Sequence, residues 1–220
     1  MVNVIFLGPP GSGKGTQAVM LSKELNIPTI STGEALRKEV ELGSEIGKLA
    51  KSYMNSGGLV PDEVVVNIIK NRIVKPDCEK GFIVDGFPRN IKQAKVFDEM
   101  LTSLGKKIEI VCNFEVADDV IIKRIAGRFS CKKCGAVYNH YFKLPTKENV
   151  CDNCGSDQFE SRSDDNESVV INRLKVYHES TAELIGYYEK KNLLYSIDAV
   201  KSVPFISGRL IEAVSKFLNF

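Results

Sequence analysis

Histidine is scarce in this chain of 220 residues: there are two, His140 and His178. Neither sits beside a nucleophile in a recognisable pattern, so a histidine-activated serine or cysteine is not in view, and we read both as structural. A surplus of one charge is also lacking. Lys plus Arg total 30 and Asp plus Glu total 28, a net charge of +2. A general nucleic-acid or membrane-surface binder carries a larger basic excess. No apolar run approaches the roughly 20 residues of a membrane span. There is no internal repeat and no low-complexity tract. The first residues, "MVNVIFLGPPGSGKGTQ", have no basic leader and run straight into a Gly-rich loop, so no signal peptide is expected. We therefore expect a cytoplasmic protein with no nucleic-acid or membrane partner. In that reducing compartment the six cysteines are thiols or metal ligands rather than disulfides.

What is present is an alternation of short apolar runs and helical patterns. Residues 2–7 (VNVIFL), 27–32 (IPTIST), 81–86 (GFIVDG) and 107–116 (KIEIVCNFEV) read as strands, and 203–208 (VPFISG) as a fifth. A helix is predicted from Lys14 to Leu25 with Val19, Leu21 and Leu25 on its apolar side. A last helix carries Leu210, Ile211, Val214, Phe217 and Leu218. This order argues an α/β fold built on a parallel sheet. Residues 165–190 read as one long helix, opened by Asp164 in a capping role with Glu167 three positions on. Its apolar stripe is Val170, Leu174, Tyr177, Leu184 and Tyr188. Arg173 lies on that stripe and so needs an anionic partner. Two stretches break the rhythm: 31–60, read as two short helices, and 127–164, which holds four spaced cysteines. Both read as inserts.

"GPPGSGKGT" fits G-x-x-x-x-G-K from Gly8 to Lys14, after a strand and before a helix. Glycines let backbone amides turn inward onto phosphate oxygens, and the helix N-terminus adds a favourable dipole. Lys14 is placed to bridge the outer phosphates. Gly15 follows the lysine where switch GTPases and motor ATPases carry a hydroxyl, which points away from those classes. Asp85 ends an apolar strand, where ligands gather in open α/β sheets, and is placed to orient water around a phosphate-held Mg²⁺.

No general base is evident, but Arg37, Arg89, Arg124, Arg128, Arg162 and Arg173 lie near Gly-rich loops or insert borders. That set suits phosphoryl transfer to an acceptor that is already an anion. Such an oxygen needs no deprotonation, only charge neutralisation and alignment, and bidentate guanidinium groups supply both. Cys131, Cys134, Cys151 and Cys154 form C-x₂-C-x₁₆-C-x₂-C, within the range of four-cysteine zinc sites, a closed and therefore structural set. Cys78 and Cys112 read as buried thiols.

Together "GPPGSGKGT", "ISTGEALR", "GGLVPDE", "VDGFPRN…Q", "RIAGR", the cysteine set and "RSDDNE…NRL" resemble the adenylate kinase family, in its long-lid, zinc-containing form, over essentially the whole chain. The resemblance implies a P-loop three-layer fold with a five-stranded parallel sheet. The core would span 1–30, 61–126 and 165–220, with a helical AMP-binding insert at 31–60 and a zinc-stapled lid at 127–164. It implies reversible transfer of the terminal phosphoryl group of ATP to AMP, giving two ADP, in a monomer using Mg²⁺ with ATP and structural Zn²⁺. Gly11, Ser12, Gly13, Lys14, Gly15 and Thr16 match the donor phosphate loop. Arg124 matches the donor adenine position, Val137 and Tyr138 lid contacts to ATP, and Lys201 a backbone contact to the donor adenine. Thr32, Arg37, the Gly58, Leu59 and Val60 backbone, the Gly86, Phe87 and Pro88 turn, Arg89 and Gln93 match the AMP site. Arg128, Arg162 and Arg173 match the phosphate clamp, Arg128 on the ATP side and Arg162, borne on the lid, and Arg173 on the AMP side, and Asp164 and Asp165 the acids that hold it. Phe129 stands where many relatives carry arginine, and Pro61 where Thr or Ser is common. Another monophosphate kinase, a zinc-ribbon nucleic-acid binder and a hydrolysing P-loop switch are rival readings. Gln93, Thr32 and the long lid oppose the first, near-neutral charge the second, and Gly15 with the arginine count the third.

Overall fold

The computed structural model describes residues 1–218. The elements run β1 (Val2–Leu7), α1 (Lys14–Leu25), β2 (Thr29–Ser31), α2 (Thr32–Glu41), α3 (Glu45–Ser56), α4 (Asp62–Ile73), β3 (Gly81–Asp85), α5 (Ile91–Ser103) and β4 (Ile110–Glu115). They continue with α6 (Asp118–Ala126), β5 (Arg128–Cys131), β6 (Val137–Asn139), β7 (Phe159–Glu160), α7 (Glu167–Val176), a π turn (Tyr177–Thr181), α8 (Glu183–Glu189), β8 (Leu194–Asp198) and α9 (Val203–Ser215).

Five strands pair in the order β2-β3-β1-β4-β8, every pair parallel. β1 is fully buried along its length, so it reads as an unbroken apolar run rather than an alternation. The period of two still sorts its side chains. Val2, Val4 and Phe6 face the α1 and α9 layer, while Ile5 and Leu7 face the layer built by α2, α4, α5 and α8. The result is three layers, helices on both faces of the sheet. The phosphate loop leaves the carboxyl end of β1, the middle strand, at the place where an open α/β sheet gathers ligands.

A separate antiparallel sheet, β6-β5-β7, closes over its own small cluster of Cys131, Tyr138 and Cys151 with Phe129, Ala136, Cys154 and Phe159.

Four local expectations are corrected. Residues 203–208 are not a strand; they open α9, with Pro204 in its first turn, where a missing N–H costs nothing. The fifth strand is instead Leu194–Asp198, paired with β4. Residues 165–190 are not one helix, because the π turn interrupts them. Asp164 does not cap α7: Asn166 does, accepting from the Val169 amide, which leaves Asp164 free for an arginine. Val19 is 67% exposed; the inward side of α1 is Gln17, Ala18 and Leu21.

Candidate functional site

The loop between β1 and α1 is shaped by backbone that only glycine adopts cheaply. Gly13 takes the N-cap position of α1 at φ +97°, and no side chain caps that helix start. The first amides of α1 are thus left for an external anion. Lys14 Nζ lies inside the loop, donating to the carbonyls of Gly8 and Pro9, each at 2.7 Å, and to Ser12 Oγ at 3.3 Å. Burial lowers the Lys14 pKa from 10.5 to about 8; Asp85 opposes the shift, while Arg89, Arg173 and Arg128 add to it. Asp85 stands at the end of β3 beside the first turn of α1: a Cβ on Gly15 would lie 3.8 Å from its Oδ2.

Across from the loop is a cavity between the sheet and α2, α3 and α4. Thr32, Arg37, Gly58, Leu59, Val60, Gly86, Arg89, Gln93 and Arg173 line it, with Leu36, Met54 and Val65 as its apolar wall. Each element presents its share. Ser31 caps α2 by accepting from the Glu34 amide, which sets Thr32 and Arg37 on the cavity side. Thr32 Oγ1 donates to the carbonyl of Gly86 at 2.9 Å, and Arg89 Nε donates to the same carbonyl at 2.9 Å. Gln93 is only 2% exposed. Its Oε1 accepts from the Arg89 amide at 2.7 Å and its Nε2 donates to Asp62 Oδ1 at 2.7 Å. Phe87 and Pro88 do not line this cavity; Phe87 is in the core, its ring 5.2 Å from Phe97 in a T-shaped pair.

Arginines gather between loop and cavity. Arg128 grips Asp165 with two nitrogens, and Arg173 Nη2 lies 2.7 Å from Asp164 Oδ2. Both carboxylates are nearly buried, with side chains 4–5% exposed, so the anionic partner that Arg173 required is present. Arg37 and Arg89 are shifted down, first by burial, with neighbouring guanidinium groups adding to it. Arg162 falls to about 10, again by burial first and then by Arg128 and Arg37. Cations that depress one another in a half-buried cleft are short of negative charge, and the three carboxylates of Asp85, Asp164 and Asp165 do not balance Lys14 and five arginines. Polyphosphate chemistry is what this arrangement can neutralise.

Arg124 Nη2 donates to the carbonyl of Ala199 at 2.8 Å, which brings the Ala199–Lys201 loop beside it. The Lys201 side chain itself points to solvent, 59% exposed and 3.7 Å from Asp198. Val137 is exposed on the small sheet. The Tyr138 side chain is turned inward: its hydroxyl donates to Cys151 Sγ at 3.4 Å and accepts from the Asp152 amide at 2.7 Å. Phe129 stacks on His140 at 4.5 Å and on Tyr138 at 5.6 Å between ring centroids; it packs, partly buried, against the small cluster of this sheet.

The sulfurs of Cys131, Cys134, Cys151 and Cys154 lie within 4.8 Å of one another, with Cys131–Cys154 and Cys134–Cys151 separations of 3.6 Å. A tetrahedral zinc with sulfurs at about 2.3 Å needs sulfur–sulfur distances of about 3.8 Å. The set therefore fits a four-coordinate metal.

Sequence reasoning missed Asp62, Asn90 and Thr181. Asn90 caps α5 by accepting from the Gln93 amide, a signal visible three positions ahead of Gln93. Asp62 and Thr181 reach the site across long sequence separations and carry no local signal.

Comparison with known proteins agrees with this geometry. The sequence model of the family described as "Adenylate kinase" matches residues 6–193. The chain is similar to an adenylate kinase of Archaeoglobus fulgidus, 52% identical with 97% of each chain covered. It is also similar to adenylate kinases of Methanocella arvoryzae, at 46% identity over 96% of this chain and 98% of the relative, and of Nitrosococcus oceani, at 45% over 96% and 99%. With a phosphate loop facing a second, arginine-rimmed cavity, and with likeness running nearly end to end, this chain belongs to the adenylate kinase family.

Proposed function

We propose that the protein transfers the terminal phosphoryl group of ATP to AMP, reversibly and with Mg²⁺, giving two ADP. The observation that carries this reading is the pairing of a phosphate loop with a separate arginine-lined cavity that also presents Thr32 and Gln93. ATP occupies the loop through the amides of Gly11–Thr16 and Lys14, with Arg124 and the Lys201 backbone at its adenine. AMP occupies the cavity through Thr32, Arg37, the Gly58–Val60 backbone, Arg89 and Gln93. Of the Gly86–Pro88 turn, Gly86 alone meets AMP directly, and Phe87 and Pro88 support it from the core. Arg128, Arg162 and Arg173 neutralise the equatorial oxygens of the transferring group. The acceptor oxygen is already ionised, so no base is assigned. Mg²⁺, when bound with ATP, supplies charge neutralisation on the phosphates, and Asp85 is the residue that orients its water shell.

In this reading residues 31–60 are the AMP-binding insert and 127–164 the lid, on a core of 1–30, 61–126 and 165–220. Val137 meets ATP at the lid surface, while Tyr138 serves the lid interior. The four-cysteine metal is zinc, held for structure alone, because four thiolates leave no open position. No helix among the described residues is long and apolar enough to cross a membrane; we place the protein in the cytoplasm as a monomer.

The test is ADP formation from ATP, Mg²⁺ and a panel of monophosphates. AMP should be the preferred acceptor, and Arg89→Ala should lose roughly a hundredfold or more in turnover, the scale of removing a transition-state charge partner. Equal use of UMP or CMP, or near-normal turnover by the variant, contradicts the assignment.

A further inference from the structure

We infer that Asp62 is the positioning residue that selects a 6-aminopurine over a 6-oxopurine acceptor, by locking the carboxamide of Gln93 in one orientation. The inference rests on the reading of Gln93 as the residue that meets the acceptor base.

A free glutamine amide is a poor discriminator. It offers donor and acceptor side by side, and a half-turn exchanges them. The Watson–Crick edge of adenine presents an amino donor and a ring acceptor; that of hypoxanthine presents a carbonyl acceptor and a ring donor. A glutamine able to turn over satisfies either base. Here it is held at both ends. Gln93 Oε1 accepts from the backbone amide of Arg89, and Gln93 Nε2 donates to Asp62 Oδ1. The Arg89 amide can only donate and a carboxylate can only accept, so these two contacts fix which end is which. Turning the amide over would set N–H against N–H at one end and oxygen against carboxylate at the other.

Asp62 is fixed in turn. It is the first residue of α4, where the helix dipole favours its charge. The same Oδ1 accepts from Asn90 Nδ2 at 3.1 Å, while Asn90 Oδ1 caps α5 through the Gln93 amide at 2.8 Å. Gln93 lines the cavity with one N–H and one oxygen lone pair unused by these contacts. Those two groups are left for the base in a fixed order.

The experiment compares kcat/KM for AMP and for inosine monophosphate at saturating MgATP. In Asp62→Ala the AMP-to-inosine-monophosphate ratio should fall about tenfold, the scale of one charge-assisted hydrogen bond. KM for AMP should rise while KM for ATP stays unchanged. Asp62→Asn, whose carbonyl can accept both bonds, should restore the ratio to within about threefold. An unchanged ratio in Asp62→Ala, or equal losses with both acceptors, overturns the inference. Gln93→Leu separates the two layers: if it leaves the ratio intact, the assignment of Gln93 itself fails. If it collapses the ratio while Asp62→Ala does not, only the role of Asp62 fails. Should Asp62→Ala not fold, the wild-type protein decides by NMR. The Gln93 side-chain proton held by Asp62 should exchange with solvent far more slowly than that of an exposed glutamine, and exchange of both protons at the exposed rate overturns the lock.

Discussion

Thr181, in the π turn, donates its hydroxyl proton to the backbone carbonyl of Arg89 at 2.8 Å, across 92 positions of sequence. The residue is 7% exposed, so water does not replace the hydroxyl easily. A π turn inserts one residue into a helix and rotates the turns C-terminal to it, and such bulges are frequent at functional sites. Here the rotation aims a hydroxyl at the segment whose side chain is Arg89 and whose amide holds Gln93. Thr181→Val keeps the shape and leaves that carbonyl unpaired, a cost of about 1–2 kcal/mol. We expect KM for AMP to rise about fivefold to tenfold, on that scale, with KM for ATP unchanged and Thr181→Ser recovering most of the loss. Steady-state kinetics with each nucleotide varied in turn checks this; a matched rise in both KM values would point to general loosening.

The two helices of the 31–60 segment touch at a glycine. A Cβ on Gly47 would fall 2.0 Å from the Glu39 carbonyl oxygen, and backbone cannot yield as a flexible side chain can. Gly47→Ala must push α3 from α2 at a cost of roughly 1–3 kcal/mol or more. The expected signature is a lower Tm with weakened AMP binding. ATP-analogue affinity, measured by calorimetry, should be near normal, and a loss shared equally by both ligands would count against a separate AMP-binding unit.

The small β5–β7 sheet closes over Cys131, Tyr138 and Cys151, with Phe129, Ala136, Cys154 and Phe159 only partly buried around them. That is too little apolar matter to fold alone, so a metal staple is expected to carry its stability. Removing the metal with a strong chelator should release one zinc per chain, lower Tm and expose the four thiols to a thiol reagent. Elemental analysis, thiol titration and calorimetry before and after chelation test this together. Retention of both Tm and thiol protection would refute the staple.

Lys14 titrates at about 8 in the folded protein against 10.5 when unperturbed, chiefly because of burial. Between those pH values the unfolded chain binds more protons than the folded one, so this group makes stability rise with pH across the window. The penalty of a charged, buried Lys14 is present in full below about pH 8 and is gone above about pH 10.5. Lys14→Met removes the titration. The Tm difference between the ligand-free proteins should therefore move in favour of wild type as pH goes from about 8 to about 10; a constant difference would mean that Lys14 does not change protonation there.

The phosphate loop and the four cysteines were legible because each is a local pattern. Gly13 and Lys14 act through the backbone turn they build themselves, and a Cys-x-x-Cys pair folds around a metal within its own few residues. The parallel sheet was legible for a related reason: strands buried on both faces must be apolar throughout, as in "VNVIFL". Local reading failed where two local solutions compete. Asp164 and Asn166 are both acceptable caps for α7. Asn166 took the cap, and Asp164 went to Arg173, a cation carried in the last turn of the same helix. Residues 203–208 offered enough apolar character for a strand, but β4 already had its neighbour in Leu194–Asp198.

The order of residues was enough to establish that two anionic nucleotides could be handled: it supplied the glycines, the lysine and the arginines, and their chemistry does not depend on where the chain goes. How that chemistry is aimed was settled by packing in three dimensions. Asp62 reaches Gln93 across 31 positions and Thr181 reaches Arg89 across 92. Hydrogen bonds act over about 3 Å, so contacts of that reach exist only after α4, α5 and the π turn have packed on the sheet, and no stretch of sequence contains them.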